Sequence, residues 1–238
     1  MTVRLTSGGQ FQTGPAELSA GLRYTTHRIR ERQIKARTAL VNQSRGLLAE
    51  YGLVRPKGVA QVRHQLPFIL EDAENGLTLM AQEWLHALAA ELQTLEQRIQ
   101  ETDTQTQRVF ASHEACQRLV QLEGVGPLTA TALVAAVGEA TTFKNGREFA
   151  AWLGLVPRQH STGGKPLSLG ISKRGERSLR KWLIHGARAV VRTVEGKQDG
   201  RSRWLQGLIV RRGNNRAGVA QAKKTARLAW VLLAKGER

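Results

Sequence analysis

The sequence predicts an all-α protein: a coiled coil or long helical hairpin, followed by a compact helical domain that contains a helix–hairpin–helix. Apolar residues return every three or four positions through most of the 238 residues, as on one face of a helix. Glycine and proline stand between these periodic stretches, where helices end and begin. No stretch demands a β-strand. Three regions follow: an irregular tail at 1–22, a helical region at 23–112 and a second helical region at 113–238.

The first periodic stretch, residues 23–51, predicts a helix that ends at Gly52. Its first half is rich in arginine and lysine. Residues 77–110 give the clearest helix, because leucine and isoleucine alternate spacings of three and four in the manner of a coiled coil. This apolar seam consists of Leu85, Leu88, Leu92, Leu95 and Ile99. It could pack within its own domain, form an antiparallel hairpin with 23–51, or join two copies of the chain in a homo-oligomer.

A helical hairpin is predicted at LVQLEGVGPLTATALVAAVG, residues 119–138. One helix ends at Gly124, Gly124-Val125-Gly126 forms a tight turn, and Pro127 opens the next helix at a position that tolerates proline. Backbone amides in such a turn, together with a helix N-terminus, can bind a phosphate group. The alternative is a plain hairpin whose glycines serve packing only.

Two amphipathic helices are predicted at 174–194 and 216–234. In the first, Leu179 and Leu183 share a face with two valines, and cations at the same offsets fall on the opposite face. The second repeats the scheme. The residues expected to contact nucleic acid are the turn Gly124, Val125 and Gly126 and the cations Lys165, Lys173, Arg174, Arg177, Lys181, Arg188, Arg192, Lys223, Lys224 and Arg227.

Charge is strongly segregated along the chain. The formal net charge is +17, and residues 142–238 carry 22 Lys and Arg against 5 Asp and Glu, while residues 1–141 balance to zero. Such segregation is typical of a protein that binds a polyanion. We therefore expect DNA or structured RNA as a partner.

Several classes of protein do not fit the composition. The single cysteine, Cys116, excludes a disulfide framework and indicates a reducing compartment, so we expect a cytoplasmic protein. No apolar run is long enough to span a membrane, and the N-terminus lacks the apolar core of a signal peptide. The six histidines show no metal-ligand spacing, and the basic half has no cluster of carboxylates, so no metal site is predicted in this chain.

The stretch PRQHSTGGKP, residues 157–166, places a serine on a Gly-rich basic loop between two helices. Ser161 could be a turn residue, a phosphate contact or a nucleophile. The turn is the ordinary interpretation, since serine beside glycine is common turn chemistry. His160 is adjacent, but neighbouring residues rarely point at each other, so it is a weak candidate for a general base.

Long motifs of the chain resemble the insertion-sequence 110 type transposases, the Piv-like DEDD recombinases, and most closely their 1111 subgroup. These motifs are LEGVGPLTATALVAAVG, FAAWLGLVPRQHSTGGK, LGISKRGERSLRKWLIHGARAVV and NRAGVAQAKKTARLAWVLLAKG, with RERQIKARTALVNQSRGLLAEYGLVRPKG further upstream. The resemblance runs from about residue 28 to 235.

The resemblance implies that the protein cuts and rejoins DNA strands at element ends and target, guided by a structured RNA of the element. Family members pair a RuvC-like domain, whose four carboxylates bind divalent metal, with a domain that carries a serine nucleophile. The residue matching that serine is Ser161, with Thr162 as the less favoured neighbour. The carboxylates have no counterpart here, so we expect a truncated copy that is inactive alone and needs no metal of its own. The alternative is a non-catalytic nucleic-acid-binding protein or a regulatory partner of a full-length transposase.

Overall fold

The computed structural model describes residues 20–138, 140–162 and 165–235, and the side chains of 25–138, 140, 142–158 and 169–235. The predicted helices are present in these residues, so the all-α prediction is confirmed. The elements are α1 (Ala20–Glu50), α2 (Val59–Glu71), α3 (Leu79–Ser112), α4 (Glu114–Leu119), α5 (Pro127–Val137), a 3₁₀ turn (Ala140–Thr142), α6 (Gly146–Trp152), β1 (Pro157–Thr162), β2 (Lys165–Ile171), α7 (Arg177–Arg192) and α8 (Gly200–Lys235). The predicted tail overlaps α1 from Ala20, and residues 1–19 lie outside the described residues.

The chain divides into two compact units, and the first comprises Thr25–Arg108. Its core joins apolar side chains of α1, α2 and α3. The buried members are Leu40, Val41, Leu48, Val62, Leu66, Ile69, Leu85, Leu92 and Leu95. Burial of this kind contributes about 1.5–3 kcal/mol for each large aliphatic side chain.

Most of the apolar seam of α3 is therefore covered within the chain. Leu85, Leu92 and Leu95 belong to the core that α1 and α2 complete. Polar contacts tie α1 to α3 as well: Arg30 pairs with Asp103, and the Thr102 hydroxyl donates to Gln33 Oε1 at 3.2 Å. Of the arrangements that the sequence left open, the structure shows packing of the seam against the other helices of its own unit.

Helix α2 is not among the helices predicted from the sequence, in which Pro56 and Pro67 indicate a connection between helices. Pro67 instead lies inside α2. Proline removes one helical hydrogen bond. Here Val62, Leu66 and Ile69, at helical spacing, bury their side chains in the core, and Pro67 faces away from it. The burial of three aliphatic side chains outweighs the lost hydrogen bond.

The second unit contains residues 109–235. Its main core gathers small and aliphatic residues from α4, α5, α6, α7 and the second half of α8, with the fully buried Phe149 among them. A smaller core joins the end of α7 to the first half of α8. Helix α8 bends at Gly213, whose φ of 78° and ψ of 164° are not helical, so α8 consists of two helical arms.

The strands β1 and β2 are the part of the fold that the helical prediction omitted. They form a two-stranded antiparallel hairpin in which Ser161 pairs with Pro166 and Thr162 with Lys165. The ladder contains an irregularity between Pro157 and Gln159. The stretch interpreted as a loop is therefore a hairpin, whose two connecting residues, Gly163 and Gly164, lie outside the described residues.

Candidate nucleic-acid interface

Ser161 lies on the backbone of β1, one residue before the end of the strand. Its side chain, and those of Thr162 and Lys165, are outside the described side chains. The structure thus gives the backbone position of Ser161 near the far end of the hairpin, and its role as nucleophile stays a prediction.

The base of the hairpin is held by a buried arginine. Arg180 of α7 is 8% exposed, and its Nη1 donates to the Leu153 carbonyl at 3.0 Å and to the Arg174 carbonyl at 3.5 Å. Leu153 precedes β1 and Arg174 follows β2, so one guanidinium joins both ends of the hairpin to α7. A buried charge is stable only when it is hydrogen-bonded, and these carbonyls provide the acceptors.

Two glycines allow the ends of the hairpin to approach each other closely. A Cβ on Gly154, which has φ +69°, would lie 2.1 Å from the Arg174 carbonyl oxygen. A Cβ on Gly175, with φ +94°, would lie 1.8 Å from the carbonyl oxygen of Trp152. The Ser172 and Lys173 amides extend the ladder beyond β2 by donating to Val156 and Gly154. The base of the hairpin is consequently a packed and hydrogen-bonded junction.

The predicted basic face of α7 is present in the structure. Leu179, Leu183 and Val190 are buried. The four cations on the opposite side, Arg177, Lys181, Arg188 and Arg192, are all exposed. Lys173 and Arg174, just before the helix, are exposed too. The cations expected to contact phosphate therefore lie along one exposed face, and that face begins at the base of the hairpin.

The turn between α4 and α5 is used for packing at two of its three residues. Gly124 has φ +85°, and a Cβ there would lie 2.8 Å from the backbone of Gly186 in α7. Val125 is buried, and its N–H donates to the Leu122 carbonyl at 3.0 Å. These contacts support the packing alternative for Gly124 and Val125. Gly126 precedes Pro127, which opens α5 as the sequence predicted.

Helix α8 carries the third group of predicted contacts. Lys224 and Arg227 are exposed, while Lys223 is half-buried. The Lys224 ammonium lies over the ring of Trp204, 4.8 Å from its centroid, which joins the two arms of α8. Such a cation–π contact contributes about 0.5–1 kcal/mol at an exposed site.

Several cations of this unit were not singled out from the sequence. Arg147 lies in the first turn of α6, and Arg211, Arg212 and Arg216 surround the bend at Gly213. All four arginines are exposed. The string RRGNNR could have indicated this bend, because glycine interrupts a helical pattern between cations. Arg188 connects the bend to α7 through Asn215, whose Oδ1 accepts from Arg188 Nη2 at 3.5 Å.

In the described parts of the chain, no three His, Cys, Asp or Glu side chains come together in a group that could hold a metal ion. Among the same residues, no helix combines the length and apolar character needed to cross a membrane. The carboxylates near the cations have structural roles: Glu176 and Asp199 accept backbone N–H groups at the starts of α7 and α8.

Known proteins match this chain closely. A family model described as "Transposase IS116/IS110/IS902 family" matches residues 116–204. A "Probable family 20 transposase" of Pseudomonas aeruginosa is 50% identical over 210 residues, which are 88% of this chain and 62% of that protein. The "Transposase for insertion sequence element IS1111A" of Coxiella burnetii is 46% identical over 88% of this chain and 58% of its own length. The "Transposase for insertion sequence element IS1328" of Yersinia enterocolitica is 34% identical, with 88% and 62% covered. The chain thus spans about six tenths of the length of these relatives.

Proposed function

Because the chain belongs to the IS116/IS110/IS902 family of transposases, we propose that it binds DNA in transposition and that Ser161 is the nucleophile of strand cleavage. The observation that supports DNA binding best is the row of exposed cations on α7, Arg177, Lys181, Arg188 and Arg192. Their apolar counterparts are buried in the core, so the basic face is fixed on a rigid helix.

The position of Ser161 supports its proposed role. The hairpin that carries it is joined at its base to α7 by Arg180, so Ser161 and the basic face belong to one anchored structure. The serine oxygen would attack phosphorus and displace a sugar oxygen; the hydroxyl proton would go to a base, and the departing oxygen would take up a proton.

A serine hydroxyl needs help before it attacks, from an adjacent base or a metal-activated phosphate. The described residues contain no group of His, Cys, Asp or Glu side chains that fits a divalent metal. In the family, the RuvC-like domain supplies that help, as the resemblance implies. We therefore propose that the chain by itself binds element-end DNA without cleaving it, and that a structured RNA guides the choice of target.

The first experiment measures affinity for duplex DNA against salt concentration. If about eight phosphates are neutralised, log K should fall with log salt at a slope near −7. Replacing Arg177, Lys181, Arg188 and Arg192 by glutamate should weaken binding to all sequences alike, since phosphate contacts carry little sequence information. An affinity that does not change with salt would contradict the electrostatic basis of the proposal.

A second candidate function is a regulatory or nucleic-acid-binding partner that makes no use of Ser161. The exposed cations favour it as much as they favour a transposase, because binding alone requires no nucleophile. A covalent protein–DNA linkage that depends on Ser161 would separate the two functions.

A further inference from the structure

A basic cleft lies between the start of α6 and the second arm of α8. Its volume is about 560 Å³, and it is open to solvent on one side. Arg147, Lys224 and Arg227 line it together with the apolar side chains of Leu228 and Trp230. This volume falls within the roughly 300–1,000 Å³ of sites that take small organic groups.

The walls of the cleft are fixed by contacts within the unit. The Trp230 indole Nε1 donates to the Ala140 carbonyl at 3.0 Å, which sets the orientation of its ring. Gly146 of α6 lies directly against the backbone of Arg227, because a Cβ on Gly146 would be 3.0 Å from the Arg227 carbonyl oxygen. Asn145 Oδ1 accepts the N–H groups of Arg147 and Glu148 and so fixes the first turn of α6. A ligand that enters this cleft finds it already formed, which reduces the ordering cost of binding.

The lining combines two kinds of chemistry. Three cations attract an anion, and the described residues that line the cleft include no carboxylate. Leu228, 43% exposed, and Trp230 offer an apolar wall to a flat group. The Lys224 ammonium, one of these three cations, lies over the ring of Trp204. A phosphate joined to an aromatic base has both properties.

We propose that this cleft binds an unpaired nucleotide of a polynucleotide, with its phosphate on Lys224, Arg227 and Arg147 and its base against Leu228 and Trp230. The proposal rests on the nucleic-acid binding proposed above. In a duplex the faces of the bases are stacked on one another, so only an unpaired base can use the apolar wall. Proteins that bind single strands combine cations with stacking surfaces in the same manner.

The test compares two DNA probes of one sequence by fluorescence anisotropy: a fully paired duplex, and the same duplex with one bulged thymidine. Stacking of one base contributes enough to favour the bulged probe about tenfold. Lys224→Ala with Arg227→Ala should abolish this preference. Leu228→Gln, which leaves the charge unchanged at an exposed position, should reduce it. Circular dichroism checks that each variant is folded.

The matched control is Arg177→Ala with Arg192→Ala, which also removes two exposed cations but leaves the cleft intact. It should weaken binding of both probes equally and keep the preference. Equal affinity of the unaltered chain for the two probes, or a preference that survives Lys224→Ala with Arg227→Ala, would overturn the nucleotide cleft while the proposed DNA binding stands. If the unaltered chain binds neither probe, both the nucleotide cleft and the proposed DNA binding are overturned.

Discussion

Ser161 is the residue on which the proposed chemistry depends. Replacing it by alanine should abolish a covalent protein–DNA linkage and leave DNA affinity unchanged, because a single serine hydroxyl contributes little to stability or phosphate binding. The measurement is a denaturing gel of labelled element-end DNA incubated with this chain and a full-length relative. In the relative, the serine aligned with Ser161 is replaced by alanine, so only this chain can form the linkage. Thr162→Ala is the control: if it removes the linkage and Ser161→Ala does not, Thr162 is the nucleophile.

His27 is a buried residue of the first unit, and it makes that unit sensitive to acid. It is 3% exposed, and burial lowers its pKa from 6.5 to about 4, with a smaller contribution from the Arg30 charge. Between these two pKa values the unfolded chain binds a proton that the folded chain does not. Stability is therefore lost as the pH falls below 6.5, by about 1.4 kcal/mol between pH 7.5 and 5.5.

Urea denaturation at pH 7.5 and 5.5 measures this loss for the first unit. His27→Gln removes the titrating group. The free energy of unfolding of this variant should therefore change little between pH 7.5 and 5.5, whatever its value at pH 7.5. His86→Gln, an exposed histidine of the same unit, is the control and should leave the dependence as it is. A His27→Gln variant that retains the full loss would show that another group titrates.

At the scale of elements, the helices with strong apolar periodicity could be predicted from the sequence. The spacing of Leu179 and Leu183, and the seam of α3, gave the helices and their buried faces. The strands were not predicted this way. β1 is short and has no alternating apolar residues, whereas β2 does alternate Leu167, Leu169 and Ile171 with other residues, over too few positions to define a strand by itself. A Gly-Gly pair between two short stretches was the available signal, since a two-residue link is typical of a hairpin.

Part of the candidate interface could be predicted from the sequence as well. Exposed cations on α7 follow from periodicity alone, because apolar burial on one face leaves the opposite face in solvent. Arg180 does not follow, since it stands one residue after Leu179 and its buried place depends on carbonyls 27 and 6 residues away in sequence. The contact of Gly124 with Gly186 joins distant segments too, and only the folded chain shows that this turn packs against α7.

On the scale of the whole molecule, the two units have separate buried cores, and the proposed contacts to DNA all belong to residues 109–235. A disruption of the first core should therefore leave DNA binding intact. Leu92 is 4% exposed in that core, and Leu92→Glu with Leu95→Glu would bury two carboxylates among aliphatic side chains. Truncation alone of one such leucine costs about 2–5 kcal/mol, and an unpaired buried charge costs more. We expect the first unit to unfold.

Hydrogen exchange should then show loss of protection in α1, α2 and α3 up to Arg108, with protection in α5 and α7 retained and DNA affinity within about twofold of the unaltered chain. Gln100→Glu, an exposed position of α3, is the matched control and should change neither the protection of any helix nor the DNA affinity.

Sedimentation of the same proteins tests the predicted homo-oligomer through residues 77–110. A folded monomer after Leu92→Glu and Leu95→Glu would mean that these leucines join two copies of the chain, whereas an unfolded first unit is what their burial against α1 and α2 requires.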